Sequence, residues 1–173
     1  MQDGKSAEVG MIGREGVAGL TALLGARPAS QSLKVTVGGS AIRMRRLEFE
    51  RELKSGEALR QPLMTYAGEY ITQVSQRAAC ATLHRMEQRL AVWLLMLADR
   101  LGDEPMEMTH ERIAYHLGVR RAGVTEIAGE MQRAGMIQYT RGSLRVTNRE
   151  ALEAAACECY GALSRDGRQH THM

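Results

Sequence analysis

The chain has 173 residues, of which 44% are hydrophobic and 25% are charged, and its formal net charge is only +3. This length and composition fit one modest globular domain or two small ones. The longest apolar run, Leu90 to Ala98, is far shorter than the roughly 20 residues of a membrane-spanning helix, so we predict no membrane partner. Three cysteines, an odd number, favour a reducing compartment, here a bacterial-type cytoplasm, over an exported disulfide framework.

The first fifty residues predict mainly β-structure. Ser6 to Ile12 is typical of a short strand, and Leu33 to Val37 alternates apolar and polar side chains. Gly38 and Gly39 permit a tight turn, after which Ser40 to Met44 alternates back, so a hairpin is expected. Four glycines spaced three apart between positions 10 and 19 lack the order of a nucleotide-binding loop and predict turns.

From Arg46 the pattern becomes helical, with a break at Ser55-Gly56 and a long helix from about Glu57 to Leu83. Pro62 is expected to kink or restart this helix. Apolar positions three and four apart form a stripe along it, which predicts a parallel two-helix homodimer. Packing of the stripe within one chain is the alternative. The predicted dimerisation residues are Leu63, Tyr66, Tyr70, Ile71, Val74 and Ala78.

The stretch from Thr109 to Ile137 predicts a helix-turn-helix that follows a connecting helix over Arg85 to Leu101. Apolar side chains stand at helical spacing on both sides of Gly118, a residue that tolerates the positive φ of a tight turn. Seven arginines and three glutamates lie between Thr109 and Arg149, an excess of four positive charges. Because side chains near the N-terminus of such a second helix reach base edges, DNA is the leading partner.

A β-hairpin with a basic tip is predicted after these helices, with strands Ile137 to Tyr139 and Leu144 to Val146. This hairpin is typical of the wing of a winged helix-turn-helix. Thr147 is predicted to cap a last helix in a capping box with Glu150. The polar residues after Gly161 are expected to be disordered.

Taken together, these elements resemble the CRP/FNR superfamily of bacterial transcription regulators. The resemblance extends from about Ser6 to Tyr160, and the runs that carry it are EVGMIGREGVAGL, LHRMEQRLAVWLLM, LGVRRAGVTE and ACECY. It implies an α+β fold with a partial β-roll of the cyclic-nucleotide-binding type, a long dimerisation helix and a C-terminal winged helix-turn-helix. The corresponding divisions are 1–56 for the partial β-roll, 57–103 for the dimerisation helix, hinge and connecting helix, 104–163 for the DNA-binding domain and 164–173 for a disordered tail.

The resemblance also implies a function, namely transcription control by a homodimer bound to a palindromic duplex, with RNA polymerase as a further partner. The β-roll of the family has roughly sixty to eighty residues more before the first strand, so the chain is expected to be N-terminally truncated. Cyclic-nucleotide-binding members hold the ligand with a Gly-Glu and an Arg-Ser pair, where this chain has Ala18-Gly19 and Gln31-Ser32. Without the guanidinium partner of the phosphate, no cyclic nucleotide response and no cofactor are predicted.

The residues that the resemblance assigns to DNA binding cluster around the second helix, Arg120 to Ala134. Arg121 is expected to bind a guanine, Glu126 to accept from a cytosine amine, and Ala122 to touch a thymine methyl. Contacts with the DNA phosphates are expected from Arg120 and Gly123 at the N-terminus of this helix and from Arg141 on the wing. His110, at the start of the preceding helix, is also expected to lie near a phosphate. The full set is His110, Arg120, Arg121, Ala122, Gly123, Thr125, Glu126 and Arg141.

No catalytic set or metal site is predicted from the sequence, and an enzyme is rejected. Cys157 and Cys159, placed on one helix, would point about 200° apart and could not share an ion. His84 is taken as a cap or surface residue. Two other functions stay open: a truncated, dimerisation-only protein that modulates a full-length regulator, and a small-ligand or redox sensor that uses the residual roll or Cys80.

Overall fold

The computed structural model of the chain describes residues 7–23, 31–102 and 104–168. The elements in these ranges are α1 (Leu20–Leu23), α2 (Arg46–Ser55), α3 (Glu57–Leu83), α4 (Met86–Leu101), β1 (Met106–Glu107), α5 (His110–Leu117), α6 (Arg121–Arg133), β2 (Ile137–Thr140), β3 (Ser143–Val146), α7 (Arg149–Ala155) and α8 (Cys159–Arg168). Among the described helices, none combines the length and the apolar character needed to cross a bilayer.

The long helix predicted from the sequence is α3, with 27 residues. It begins after Gly56, whose extended backbone separates it from α2, and it ends at His84, which is also extended. Pro62 lies inside α3 and the helix continues through it, so the expected restart at the proline is wrong. Leu63, Ala67 and Cys80 are its buried residues, which leaves most of its surface to other contacts or to solvent.

The hydrophobic core lies in the C-terminal half and is built around α4. Every residue of α4 from Leu90 to Ala98 is buried, and the helix packs against α7 and α8. A helix that is apolar on all sides is buried on all sides, because no face of it gains from contact with water. α4 therefore shares one core with the helix-turn-helix, and the predicted boundary at residue 104 remains a prediction.

The helix-turn-helix forms as the sequence predicts. Thr109 caps α5, since its hydroxyl accepts a hydrogen bond from the Arg112 backbone N–H at 3.2 Å. Gly118 ends α5 in the left-handed conformation, with φ of 66° and ψ of 35°. Arg89 of α4 donates to the Leu117 carbonyl oxygen at 2.6 Å. This hydrogen bond attaches the turn between α5 and α6 to α4. The turn, held in this place, sets the angle between the two helices.

The predicted wing is confirmed as the β2–β3 hairpin, in which Ile137 pairs with Val146 and Thr140 with Ser143. Its two-residue tip, Arg141-Gly142, has positive φ at both positions, as a primed turn requires. The sequence does not predict β1, which pairs with the other edge of β3 to give the order β1-β3-β2. A two-residue strand leaves no readable alternation, so only its pairing partner identifies it.

The N-terminal strand predicted from Ser6 is wrong for the described residues 7–12, which have no regular secondary structure. These residues instead lie along α3, where the Met11 N–H donates to the side-chain oxygen of Gln73 at 2.7 Å. Gly10 and Gly16 lie so close to the rings of Tyr70 and Tyr66 that an added Cβ would come within 2.6 and 2.3 Å of the hydroxyl oxygens. Close packing therefore requires these glycines, which the sequence analysis assigned to turns.

The hairpin predicted over 33–44 is also wrong, because none of these residues is in a strand. The segment is almost entirely exposed and contacts the helix-turn-helix through a few side chains. The Lys34 ammonium lies 4.1 Å from the Tyr115 ring centroid, and Arg112 donates to the Thr36 carbonyl oxygen at 2.6 Å. The α+β fold class is confirmed, but the residues of the expected partial roll run as irregular segments against the helices.

The C-terminal helices differ from the prediction in three respects. Asn148, and not Thr147, caps α7, since its side-chain oxygen accepts from the Ala151 N–H at 3.0 Å. α7 ends at Ala155 and α8 begins at Cys159, so Cys157 and Cys159 do not share a helix and the inference that they diverge is wrong. α8 continues to Arg168, so the disorder predicted from residue 164 is wrong for residues 164–168. The rest of the predicted tail, residues 169–173, lies outside the described ranges.

Candidate DNA-binding interface

The outer surface of α6 carries the predicted base-reading residues. Val124, Ala128 and Met131 are buried and anchor the helix on the core. The opposite side exposes Arg121, Ala122, Thr125 and Glu126, which are spaced to share one face over the first two turns. Arg120 is the N-cap residue and is exposed, and Gly123 is half-buried against the Met86 side chain.

His110 connects α5, α6 and the wing. Its Nδ1 lies 3.0 Å from the Thr125 hydroxyl oxygen, and its ring stacks on Tyr139 with centroids 4.4 Å apart. The Thr125 hydroxyl donates to the Arg121 carbonyl oxygen, which assigns the proton of the first contact to Nδ1. His110 Nε2 is then an acceptor, buried and without a hydrogen-bond partner in the described part of the chain.

The charge on His110 follows from this environment. Burial lowers the pKa of His110 below its ordinary value of 6.5, and the nearby Arg121 guanidinium lowers it further. The imidazole is therefore neutral at pH 7. A neutral ring whose free nitrogen is an acceptor does not attract phosphate, so the geometry favours a positioning role for His110 over the phosphate contact expected from the sequence.

A groove of about 420 Å³ joins the start of α6 to the wing. Arg121 and Arg141 both line it, together with Thr109, His110, Glu111, Tyr139 and Gly142. The tip of the wing is held next to α5 because the Met108 N–H donates to the Gly142 carbonyl oxygen at 2.6 Å. Residues that are far apart in sequence thus place two guanidinium groups beside one concave surface.

Not all of the seven arginines between Thr109 and Arg149 belong to the interface. Arg112 donates to the carbonyl oxygens of Glu107 and Thr36, and Arg149 pairs with Asp99 at 2.5 Å and with Glu153 at 2.8 Å. The other five are exposed and make no ion pair within the described residues. They are Arg120, Arg121, Arg133, Arg141 and Arg145.

The predicted dimerisation residues divide between two sides of α3. Leu63 is buried within the chain, and Tyr66 and Tyr70 pack on residues 10–16. This burial raises the pKa of Tyr66 to about 12. Val74 is half-buried, whereas Ile71 is 55% exposed and Ala78 is also exposed. An exposed stripe with spacings of four and three contains both of them; its members are Met64, Gly68, Ile71, Ser75, Ala78 and Thr82.

The positions compared with the nucleotide-binding pairs of the resembling family are all exposed. Ala18 and Gly19 precede the short α1, and Gln31 and Ser32 lie in the irregular segment before α2. None of the four carries the carboxylate or guanidinium that the ligand requires. The absence of a cyclic nucleotide response stays a prediction.

Four side chains with metal-ligand chemistry meet outside this interface, namely Cys80, His84, Cys157 and Cys159. Burial raises the pKa of the Cys80 and Cys157 thiols. The sequence does not predict this cluster, because the helical pattern places Cys157 and Cys159 on one helix. The sequence does contain a signal for such a cluster, namely the spacings Cys-x₃-His at 80–84 and Cys-x-Cys at 157–159. These spacings indicate a metal site only if the two segments lie together in the fold.

The C-terminal half matches a known domain family. Residues 88–155 match the family model described as the Crp-like helix-turn-helix domain. Over these residues the chain is similar to Crp-like helix-turn-helix domains. The match begins within α4, which agrees with the shared core of α4 and the helix-turn-helix. A search of curated proteins finds no significant match.

Solved structures support the same assignment at the level of the fold. A CRP/FNR-family transcriptional regulator from Thermus thermophilus matches with a TM-score of 0.54 and 23% identity, covering 58% of this chain and 55% of that chain. FixK2 from Bradyrhizobium japonicum matches with a TM-score of 0.60 and 15% identity, covering 66% and 60%. A second Thermus thermophilus regulator, of the CRP family, matches with a TM-score of 0.52 and 20% identity, covering 61% and 57%.

The resemblance to the CRP/FNR superfamily is thereby confirmed for the Crp-like domain and for the fold. The chain spans little more than half the length of the structures that it matches. The two Thermus thermophilus proteins are described as transcriptional regulators. In helix-turn-helix proteins bound to DNA, the second helix lies in the major groove.

Proposed function

We propose that the protein is a sequence-specific, DNA-binding transcription regulator that acts without catalysis in the bacterial cytoplasm. The observation that carries the proposal is the groove beside α6, where Arg121 and Arg141 converge next to exposed Arg120. Guanidinium groups on a concave surface attract the phosphate backbone through release of counterions. No carboxylate is ion-paired to these three arginines in the described residues, so their charge is available to a duplex.

Base recognition is assigned to the exposed face of α6. Arg121 has the two donors needed to bind guanine O6 and N7, Glu126 accepts from a cytosine amine, and Ala122 contacts a thymine methyl. Thr125 is positioned by its contact with His110. Arg120, the Gly123 backbone and Arg141 are assigned to phosphates. One α6 helix therefore contacts only a short half-site. A palindromic site requires a second copy of the chain to contact the other half.

We assign the homodimer contact to the exposed stripe on α3 that runs from Met64 to Thr82. Its spacing of four and three residues is that of a coiled-coil seam, and its small side chains at Gly68, Ser75 and Ala78 allow close helix approach. Leu63, Tyr66 and Tyr70 are engaged within the chain and are not part of this contact. Two-fold pairing would place the two α6 helices on half-sites roughly 34–36 Å apart.

Replacing Ile71 by glutamate is expected to raise the dimer dissociation constant by at least about tenfold, because two carboxylates would face each other across the seam. Sedimentation equilibrium measures this constant. Leu47→Glu is the matched control, since Leu47 is 70% exposed on α2 and lies outside the stripe. If Ile71→Glu remained as tightly dimeric as the control, the stripe would not be the interface.

The proposed function is tested by selecting duplexes from a random-sequence pool with the purified chain and measuring affinity against salt concentration. The expected result is a palindromic site bound far more tightly than random DNA, with a steep salt slope. Weak binding that ignores sequence would support a dimerisation-only protein instead. RNA polymerase is a further partner to test once the site is known.

A further inference from the structure

Four metal-ligand side chains converge where the end of α3 meets the junction between α7 and α8. Cys80 lies near the end of α3 and His84 is the residue that ends it, while Cys157 lies between the last two helices and Cys159 begins α8. Their donor atoms all lie within 4.8 Å of one another. The three cysteines are buried, and the His84 side chain is 17% exposed.

Two distances define this cluster. Cys80 Sγ lies 3.6 Å from Cys157 Sγ, and Cys159 Sγ lies 3.5 Å from His84 Nδ1. Zinc binds thiolate sulfur at about 2.3 Å and imidazole nitrogen at about 2.0–2.1 Å, so the edges of a ZnS₃N tetrahedron are roughly 3.8 Å between sulfurs and 3.6 Å between sulfur and nitrogen. The two measured distances are opposite edges of such a tetrahedron and together involve all four donors.

The surrounding side chains orient the donors. His84 Nε2 lies 3.2 Å from Glu158 Oε1, which assigns the ring proton to Nε2 and leaves the Nδ1 lone pair facing the sulfurs. Carboxylate partners of this kind orient the histidine ligands of zinc sites. Gln76 Nε2 donates a hydrogen bond to Cys159 Sγ at 3.1 Å, which favours negative charge on that sulfur. These contacts are more specific than the packing of buried thiols requires.

We propose that Cys80, His84, Cys157 and Cys159 form a structural site for a single Zn²⁺ ion. Three sulfur ligands and one imidazole select a soft or borderline metal, and four protein ligands leave no open position for catalysis. An iron–sulfur cluster would hold its cysteine sulfurs farther apart, since its own iron and sulfide atoms lie between them. The ion would clamp α3 to α8 and so fix the long helix on the Crp-like domain.

The test uses the full chain, reduced, exposed to zinc and then freed of loosely bound metal. We expect one zinc per chain by elemental analysis and protection of all three thiols from a thiol reagent. These are the only cysteines in the sequence, so the thiol count reports the cluster alone. Cobalt in place of zinc should give the intense visible bands of a tetrahedral, sulfur-rich site. None of these readouts depends on DNA binding.

Two variants and one control sharpen the result. Cys159→Ser should abolish stoichiometric zinc. Glu158→Ala should keep the fold, because the Glu158 side chain is 81% exposed, yet weaken zinc binding by about 10- to 100-fold. Changing both His170 and His172 to alanine is the control and should leave the zinc content at one per chain.

Three outcomes would overturn the proposal. Thiols that react fully whether or not zinc is present would identify a packing cluster. Zinc-independent loss of two thiols upon mild oxidation would identify a Cys80–Cys157 redox pair. An unchanged zinc affinity in Glu158→Ala, together with weak, octahedral cobalt bands, would place any bound metal elsewhere.

Discussion

Replacing Arg121 by alanine is expected to weaken binding to the selected duplex by about 1–3 kcal/mol, roughly 5- to 150-fold, and to relax the preference at one base position. Arg121 is the first residue of α6, is exposed, and lines the groove. A guanidinium there can donate two hydrogen bonds to one guanine, and alanine removes both. Affinity measured on the selected site and on single-base variants gives both effects.

Arg141→Ala provides the matched comparison. Arg141 lines the same groove from the wing and is assigned to a phosphate, so its loss should weaken all duplexes alike and reduce the salt slope by about 1. The base preference should stay the same. If Arg121→Ala also weakened all sequences equally, α6 would not be docked with its N-terminus on the base edges.

Replacing Glu8 by glutamine is expected to lower the free energy of unfolding by about 3 kcal/mol, because it leaves a buried guanidinium without its counter-charge. The Glu8 carboxylate lies 3.0 Å from Arg77 Nη2 and 2.6 Å from His116 Nδ1, and it accepts from Trp93 Nε1 at 3.1 Å. The Glu8 and Arg77 side chains are each only 13% exposed. One carboxylate from the N-terminal segment therefore links α3, α4 and α5.

Glu48→Gln is the control for this measurement. Glu48 pairs with Arg45, but the two side chains are 44% and 80% exposed, and ion pairs at such positions contribute less than about 1 kcal/mol. Urea unfolding of both variants should be compared at one protein concentration, since dimerisation adds to the apparent stability. Equal losses in the two variants would show that the Glu8 network does not stabilise the fold.

The helix-turn-helix was predictable because its signals are local. Helical spacing of apolar residues, a capping threonine at 109 and a glycine at 118 each act within one or two turns of chain, and the structure confirms all three. The wing was predictable for the same reason, since a hairpin pairs neighbouring residues. Its third strand depends on a partner more than thirty residues away and was missed.

The N-terminal half was predicted less well because a strand is stable only when other strands pair with it. Residues 33–44 have the alternation of a hairpin, yet two strands alone bury too little surface to persist in water. The helical stripe on α3 was likewise ambiguous. The sequence identified its apolar residues, but only the structure separates Tyr66 and Tyr70, which pack on the chain itself, from the exposed Ile71.

The helix-turn-helix, the long helix α3 and the exposed residues of α6 could be predicted from the sequence, because each of these features depends on near neighbours in the chain. Which arginines are ion-paired within the chain, and where Cys80, His84, Cys157 and Cys159 meet, could be read only from the tertiary structure. Cys80 and Cys157 are 77 residues apart, and their sulfurs come within 3.6 Å only because α3 and α8 pack together. Three residues that are not helical separate α7 from α8, and Cys157 is one of them. Because of this break, the sulfurs of Cys157 and Cys159 face the same point, whereas a single continuous helix would direct them apart.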